Sequence, residues 1–136
     1  MFTRLLSPLV LLACIGAMPA VQAQSCQMPS GKTWKNELKS EMTVSIDGAG
    51  LVSGTYTTAV GCGAGRARPL TGICNGYAVS FTVNWQECAS VTAWSGTYSS
   101  GSISTLWHLV LAKQPSWDST IAGADTFILK DTSSEK

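Results

Sequence analysis

Apolar and polar side chains alternate with a period of two along nearly the whole chain, and helical spacing is nowhere sustained. This alternation is typical of half-buried β-strands, and Gly, Asn, Asp and Ser between the runs mark where strands end. The pattern predicts eight strands, at 32–36, 41–46, 50–59, 67–75, 78–85, 90–98, 103–111 and 122–130.

The residues between these runs favour tight connections. Asp47-Gly48, Asn75-Gly76 and the Ser- and Gly-rich stretch 99–102 are typical of hairpin turns. Short strands joined in sequence predict an all-β fold, an eight-stranded antiparallel up-and-down β-barrel, because closure removes exposed strand edges. A two-sheet sandwich is the main alternative on the pattern alone.

Several tryptophans share a strand face with hydroxyl-bearing residues. Ser90 and Thr92 lie on the same face as Trp94, and Thr105 lies on the same face as Trp107. A packed core prefers aliphatic side chains without polar atoms, so this mixture indicates a cavity for one small, partly polar ligand. An eight-stranded barrel is just wide enough to hold such a ligand.

Residues 1–23 are interpreted as a secretory signal peptide. Arg4 precedes an apolar run over 5–17, and the small residues of Val21-Gln22-Ala23 favour cleavage after Ala23. Cleavage at Cys14 in a lipoprotein is the alternative, although Leu12 fits that site poorly. We therefore expect a secreted or periplasmic protein with one domain, 24–136.

The charge of that domain is balanced. The full chain has nine basic and eight acidic residues. Removal of Arg4 with the signal peptide leaves eight of each. Such neutrality gives no electrostatic reason to expect nucleic acid or an anionic membrane as a partner.

Four cysteines remain in the domain: Cys26, Cys62, Cys74 and Cys88. An even number in an exported protein predicts two disulfides, for which three pairings are possible. No C-x-x-C pair occurs and His108 is the only histidine, so neither a zinc site nor another metal cofactor is expected.

Seven stretches carry a resemblance to a known family. They are Trp34 to Ser40, Gly54 to Val60, Pro69 to Gly72, Phe81 to Trp85, Ser90 to Gly96, Trp107, and Gly123 to Phe127. In this order, and over essentially the whole domain, they resemble the avidin and streptavidin family of biotin-binding proteins. Streptavidin is itself a standard example of the eight-stranded barrel that holds one ligand.

The resemblance implies a role for each matching position. Asn36, Ser40 and Tyr56 would donate to the ureido oxygen of biotin, while Asp125 and Thr58 would accept from its nitrogens. Thr92 would face the thioether sulfur, inside walls formed by Trp85, Trp94 and Trp107. Ser90 and backbone N–H groups after Val60, around Cys62 and Gly63, would meet the carboxylate.

Some of these residues also have a purely structural interpretation. Asn36 and Ser40 flank a turn, where such side chains usually bond their own backbone. Asp125 could be a solvated charge at a strand end, although the resemblance favours a ligand role. Trp34 is expected in the core at the closed end of the barrel, and His108 is expected to face outward.

Two further features concern the loops and the assembly. Cys62 and Cys88 resemble the loop-to-loop disulfide of rhizavidin-like dimers, and we expect Cys26 to pair with Cys74 of the same or a neighbouring chain. Trp117, in Ser116 to Thr120, resembles the tryptophan that tetrameric members lend to the adjoining subunit. We favour a homotetramer, with a dimer as the alternative.

Catalysis is not expected. Nucleophilic catalysis needs Ser or Cys beside a base, but the only histidine faces outward and the cysteines are expected to be oxidised. Asp125, as a single inward carboxylate, offers no acid and base pair. A lipocalin-like carrier of another small apolar ligand is the alternative function, and it would favour a less polar cavity.

Overall fold

Eight antiparallel strands close into a barrel in the computed structural model, which describes residues 23–112 and 117–130. Each strand pairs with the next along the chain, and pairing of β1 with β8 completes the circle. The strands are β1 Lys32–Asn36, β2 Glu41–Ile46, β3 Leu51–Thr57, β4 Ala67–Asn75, β5 Ala78–Trp85, β6 Ser90–Ser99, β7 Ser102–Leu111 and β8 Thr120–Leu129. Short 3-10 helices follow β5 at Gln86–Cys88 and precede β8 at Trp117–Ser119.

This topology confirms the predicted up-and-down barrel, and the strand bounds differ appreciably from the prediction in two places. β3 ends at Thr57 rather than at residue 59, because the Thr58 hydroxyl donates to the Val60 carbonyl at 2.8 Å and forms a local turn. β8 begins at Thr120, two residues early, because Thr120 still pairs with Val110 of β7.

The inner face of the barrel has two chemically different ends. At one end, here called the closed end, large apolar side chains fill the interior. Trp34 is fully buried there and meets Tyr98 edge to face, with ring centroids 5.9 Å apart. Met28, from the segment before β1, is also buried in this core. The predicted core position of Trp34 is confirmed.

Each end of the barrel carries one disulfide. Cys26–Cys74 fastens the segment before β1 to the end of β4, and Cys62–Cys88 joins the loop after β3 to the 3-10 helix after β5. Both bonds lie within one chain and confirm the expected pairings.

Side chains on the outer face of the barrel are more exposed to solvent than those on the inner face. His108 points outward as predicted, opposite Ala93 of β6 and Ala122 of β8. Within the described ranges, no helix is long and apolar enough to span a membrane. The predicted signal peptide, apart from Ala23, and the alternative lipoprotein residue Cys14 lie outside the described residues.

Candidate functional site

A cavity of about 540 Å³ opens at the end of the barrel opposite the closed end. Its floor and walls come from the inner faces of the strands, and the loop 58–66 and the 3-10 helix after β5 border its mouth. The lining residues are Asn36, Leu38, Ser40, Tyr56, Thr58, Val60, Gly61, Cys62, Trp85, Cys88, Ser90, Thr92, Trp94, Trp107, Leu109, Leu111, Ile121 and Asp125.

Nearly all of the predicted ligand residues therefore surround one space. Gly63 is one exception, since it is absent from the lining and lies against Glu87 and Cys88. Gly61, which was not predicted, lines the cavity between the predicted residues Val60 and Cys62. Trp117 begins the second 3-10 helix, and its side chain lies outside the described part of the structure.

Asn36 and Ser40 hold the β1–β2 turn in place. The Asn36 side-chain oxygen accepts from the backbone N–H groups of Leu38 at 3.1 Å and Ser40 at 2.9 Å. The Ser40 hydroxyl oxygen accepts from the N–H of Ala59 at 3.0 Å. The turn interpretation is thus correct for the oxygens. It leaves the Asn36 amide N–H₂ as a donor at the cavity, whereas the Ser40 hydroxyl also hydrogen bonds with Tyr56.

Tyr56 lies at the centre of an aromatic cluster. Its ring stacks on Trp94 with centroids 5.0 Å apart and meets Trp85 edge to face at 5.7 Å. Burial raises the pKa of its phenol well above the ordinary value, although hydrogen bonding with Ser40 opposes that shift. The phenol therefore stays protonated at neutral pH and can donate a hydrogen bond.

Asp125 is a buried carboxylate, with 7% of its surface exposed. It accepts a hydrogen bond from the indole nitrogen of Trp94, and its backbone carbonyl accepts from the Thr105 hydroxyl. An ionised carboxylate offers about four acceptor sites, so Asp125 keeps capacity to accept from a ligand N–H.

Two threonine hydroxyls at the cavity already have local partners. Thr92 accepts from the Trp85 indole nitrogen at 2.9 Å, which fixes the tilt of that ring. Thr58 donates to the Val60 carbonyl and accepts from the Val60 N–H at 3.3 Å. Each hydroxyl oxygen retains one lone pair for a further donor.

Trp107 forms another wall, and its position depends on Gly123 of β8. The two residues are register partners, and a Cβ atom built on Gly123 would lie only 2.4 Å from the Trp107 ring. The indole therefore occupies the space that any other side chain at 123 would need.

The sequence did not identify every lining residue as part of the site. Leu109 and Leu111 continue the inward alternation of Trp107, and Ile121 shares the parity of Asp125, so periodicity contained the signal for all three. Leu38 lies in the β1–β2 turn, where no periodic signal exists.

The lining suits an organic ligand that has a polar head and an apolar body. Donors from Asn36, Ser40 and Tyr56 and an acceptor from Asp125 lie among aromatic walls. No group of three or more His, Cys, Asp or Glu residues that could bind a metal occurs in the described ranges.

Comparison with known proteins identifies several similar sequences and structures. The model of the avidin family matches residues 22–130. Afifavidin from Afifella pfennigii is 37% identical over 123 residues, which cover 82% of this chain and 76% of that protein.

Two solved structures are similar over most of the barrel. Apo shwanavidin (P1 form) gives a TM-score of 0.73 at 30% identity and covers 80% of this chain and 100% of its own. The rhizavidin-biotin complex gives a TM-score of 0.69 at 31% identity and covers 79% of this chain and 98% of its own.

Proposed function

Because the chain belongs to the avidin family, we propose that it binds biotin non-covalently inside the barrel and catalyses no reaction. The observation that carries this proposal is the meeting of Asn36, Ser40, Tyr56 and Asp125 in one aromatic-walled cavity. Rhizavidin has been solved as a complex with biotin, at 31% identity to this chain, which supports the same ligand here.

The polar groups suit the ureido ring of biotin. Its carbonyl oxygen is a strong acceptor, and the donor groups of Asn36, Ser40 and Tyr56 can converge on it. Its two N–H groups can donate to Asp125 and Thr58. Because these protein groups are already positioned by hydrogen bonds and ring contacts, little ordering free energy is lost when biotin binds.

The remaining walls suit the rest of the molecule. Trp85, Trp94 and Trp107 enclose the bicyclic ring, and Thr92 faces the sulfur atom. At the mouth, Ser90 and the backbone N–H groups near Cys62 meet the carboxylate. Gly61 also lines the cavity there and adds a backbone N–H group to those near Cys62 and the predicted Gly63.

A thermal shift assay with biotin tests the function directly. Tight binding to the folded state raises the free energy of unfolding by about 2.7 kcal/mol at a ligand concentration 100 times Kd, so the Tm should rise by several degrees or more. Valeric acid, which has the chain without the ureido ring, is the matched control and should give no shift. If saturating biotin leaves the Tm unchanged, the lipocalin-like carrier becomes the better interpretation.

We further propose that the Cys62–Cys88 disulfide holds the mouth in its ligand-binding conformation. Both cysteines line the cavity, and their Cα atoms are 5.9 Å apart. A loop fixed beforehand avoids an ordering cost of about 0.5–1.5 kcal/mol per immobilised side chain, which should slow biotin release.

A homotetramer remains the favoured assembly, with Trp117 contributed to the site of a neighbouring subunit. The outer face of β6 and β7 supports association because Val91, Leu106 and Val110 are 44%, 67% and 47% exposed. Light scattering after size exclusion measures the assembly directly. Trp117→Ala should weaken both biotin binding and subunit association, whereas a monomer with full affinity would contradict the proposal.

We also propose export to a secreted or periplasmic location. The two disulfides support it, because such bonds persist in oxidising compartments. Mass spectrometry of the exported protein should show Gln24 as the first residue. A lipid-modified N-terminal Cys14 would identify the lipoprotein alternative.

A further inference from the structure

Arg68 and Glu87 form an ion pair beside the mouth of the cavity. Arg68 is the second residue of β4, directly after the loop 58–66, and it pairs in register with Tyr56 of β3. Glu87 lies in the 3-10 helix after β5 and immediately precedes Cys88. The ion pair and the Cys62–Cys88 disulfide therefore both end on the 3-10 helix after β5. The disulfide connects it to the loop 58–66, and the ion pair connects it to the start of β4, directly after that loop.

The Glu87 carboxylate also packs against the loop 58–66. A Cβ atom built on Gly63 would lie 3.1 Å from Glu87 Oε1 and 3.7 Å from the sulfur of Cys88. Gly63 has φ +81°, a conformation that L side chains rarely adopt. Glycine at this position thus permits both the loop conformation and the close approach of Glu87.

The charges of this ion pair are partly shielded from water. The side chains of Arg68 and Glu87 are 22% and 25% exposed, compared with 42% and 36% for the Lys130–Glu41 pair on the outside of the barrel. Within the described ranges, the Arg68 Nε atom is buried without a hydrogen-bond partner. Glu87 therefore provides the main compensation for a guanidinium group that is largely removed from solvent.

Glu87 is ionised at neutral pH. The hydrogen bond from Arg68 is the main cause that lowers the pKa of its carboxyl, and the charges of Arg68 and Arg66 act in the same direction. Arg66 belongs to the loop 58–66, so the carboxylate attracts positive charge from both the loop and β4.

We propose that Arg68 and Glu87 are positioning residues that hold the two sides of the mouth together in parallel with the Cys62–Cys88 disulfide. Each connection keeps the loop 58–66 in place when the other is removed. The consequence for ligand release rests on the proposed binding of biotin, whereas the consequence for the loop does not.

Four proteins test this proposal: the wild type, Glu87→Gln, the double variant Cys62→Ser with Cys88→Ser, and the triple variant. Substitution is preferable to a reducing agent, which would also act on Cys26–Cys74. We expect Glu87→Gln alone to accelerate biotin dissociation by about two- to fivefold, as for a partly exposed ion pair. The triple variant should dissociate faster than the product of the two separate effects.

A second readout needs no biotin. Hydrogen exchange of the amides in the loop 58–66 should increase slightly in Glu87→Gln and in the Cys62→Ser with Cys88→Ser variant, each of which removes one connection. It should increase strongly in the triple variant, which removes both. If the wild type fails to bind biotin, the proposed function is wrong. The hydrogen-exchange measurement still tests whether the ion pair holds the loop in place. Purely multiplicative dissociation rates, or loop exchange unaffected by Glu87→Gln in both backgrounds, would overturn the proposal.

Two controls separate positioning from general stability. Glu41→Gln removes a carboxylate that pairs with Lys35 and Lys130 on the outside of the barrel, and it should change neither readout. The exchanged pair, Arg68→Glu with Glu87→Arg, should restore slow dissociation and slow loop exchange if the ion pair matters. If the charge-reversed pair releases biotin as fast as Arg68→Glu alone does, and its loop amides exchange as fast, the proposal is contradicted. This comparison remains valid even if the triple variant does not fold.

Discussion

The indole nitrogen of Trp94 donates a 2.8 Å hydrogen bond to the Oδ2 atom of Asp125. Trp94 also lies between two rings, because Tyr56 stacks on it at 5.0 Å and Phe81 at 5.1 Å. The aromatic wall and the buried carboxylate are therefore one structural unit. Any change to Asp125 should alter both the acceptor for the ligand and the position of the wall.

Asp125→Asn should weaken biotin binding by about 10- to 100-fold. The variant keeps the shape of the side chain but replaces an anionic acceptor with a neutral one, and hydrogen bonds to charged groups contribute about 1.5–3 kcal/mol. Titration calorimetry or dissociation kinetics measures the change. Asp118→Asn, which removes an exposed carboxylate, should leave affinity unaltered. Equal affinity of Asp125→Asn and the wild type would remove Asp125 from the site.

Trp34 and Trp107 should respond differently to the same substitution. Trp34→Phe should lower the free energy of unfolding by about 1–3 kcal/mol through lost packing, without changing biotin affinity. Trp107→Phe should reduce affinity by about two- to tenfold, since it lines the cavity. Denaturant unfolding and calorimetry measure the two properties. The division into core and wall is wrong if Trp34→Phe alters affinity as much as Trp107→Phe does.

Tyr56 should make stability depend on alkaline pH. Because burial raises the pKa of its phenol in the folded state, the unfolded chain ionises first, near pH 10. The contribution of Tyr56 is fully present below that pH and is lost as the pH rises further, by up to about 1.4 kcal/mol per pH unit.

Urea unfolding of the wild type and Tyr56→Phe at pH 9 and pH 11 measures this dependence. The wild type should lose more stability than Tyr56→Phe over that interval. Tyr77→Phe is the control, since Tyr77 is 58% exposed and its removal should leave the wild-type dependence intact. Identical losses in the wild type and Tyr56→Phe would contradict the assignment.

Most of the barrel could be predicted from the sequence because its strands alternate cleanly. β5 places Val79, Phe81, Val83 and Trp85 inward, and every one of them is buried. The end of β3 could not be predicted, because Tyr56, Thr58 and Val60 continue the alternation beyond the last ladder residue. A local hydrogen bond of the Thr58 side chain ends the strand there, and periodicity does not report such bonds.

The site could be predicted only partly, for a physical reason. Side chains on strands follow the alternation, so Thr92, Trp94 and Trp107 could be placed on one inner face. Loop residues have no such rule, which is why Gly63 was included and Gly61 was not. The turn position of Asn36 indicates that its side chain bonds the backbone, but it does not indicate that the oxygen alone is used and the amide N–H₂ is left free.

Lys39 occupies a backbone conformation that favours glycine. Its φ of +69° lies in the left-handed region, which costs L residues roughly 1–2 kcal/mol. After allowance for the greater flexibility of glycine in the unfolded chain, Lys39→Gly should raise the free energy of unfolding by up to about 1 kcal/mol. Lys39→Ala keeps the Cβ atom and should give no gain, so equal stabilisation by both substitutions would refute this cause.

The two disulfides should contribute similarly to stability but differently to ligand release. They join residues 48 and 26 apart, for which the chain-entropy model gives about 4 and 3.5 kcal/mol. Cys26–Cys74 lies at the closed end, where Gln27 N–H also donates to the Gly76 carbonyl at 2.8 Å. Cys62–Cys88 lines the cavity.

Replacing Cys26 and Cys74 by Ser should therefore lower the Tm and leave the biotin dissociation rate nearly unchanged. Replacing Cys62 and Cys88 should lower the Tm by a similar amount and also accelerate dissociation. Calorimetric unfolding and dissociation kinetics on both variants provide the comparison. The opposite result would be faster biotin release from the Cys26 and Cys74 variant but not from the Cys62 and Cys88 variant. It would mean that the closed end, rather than the mouth, controls the dissociation rate, because the barrel core would then transmit the change along its full length.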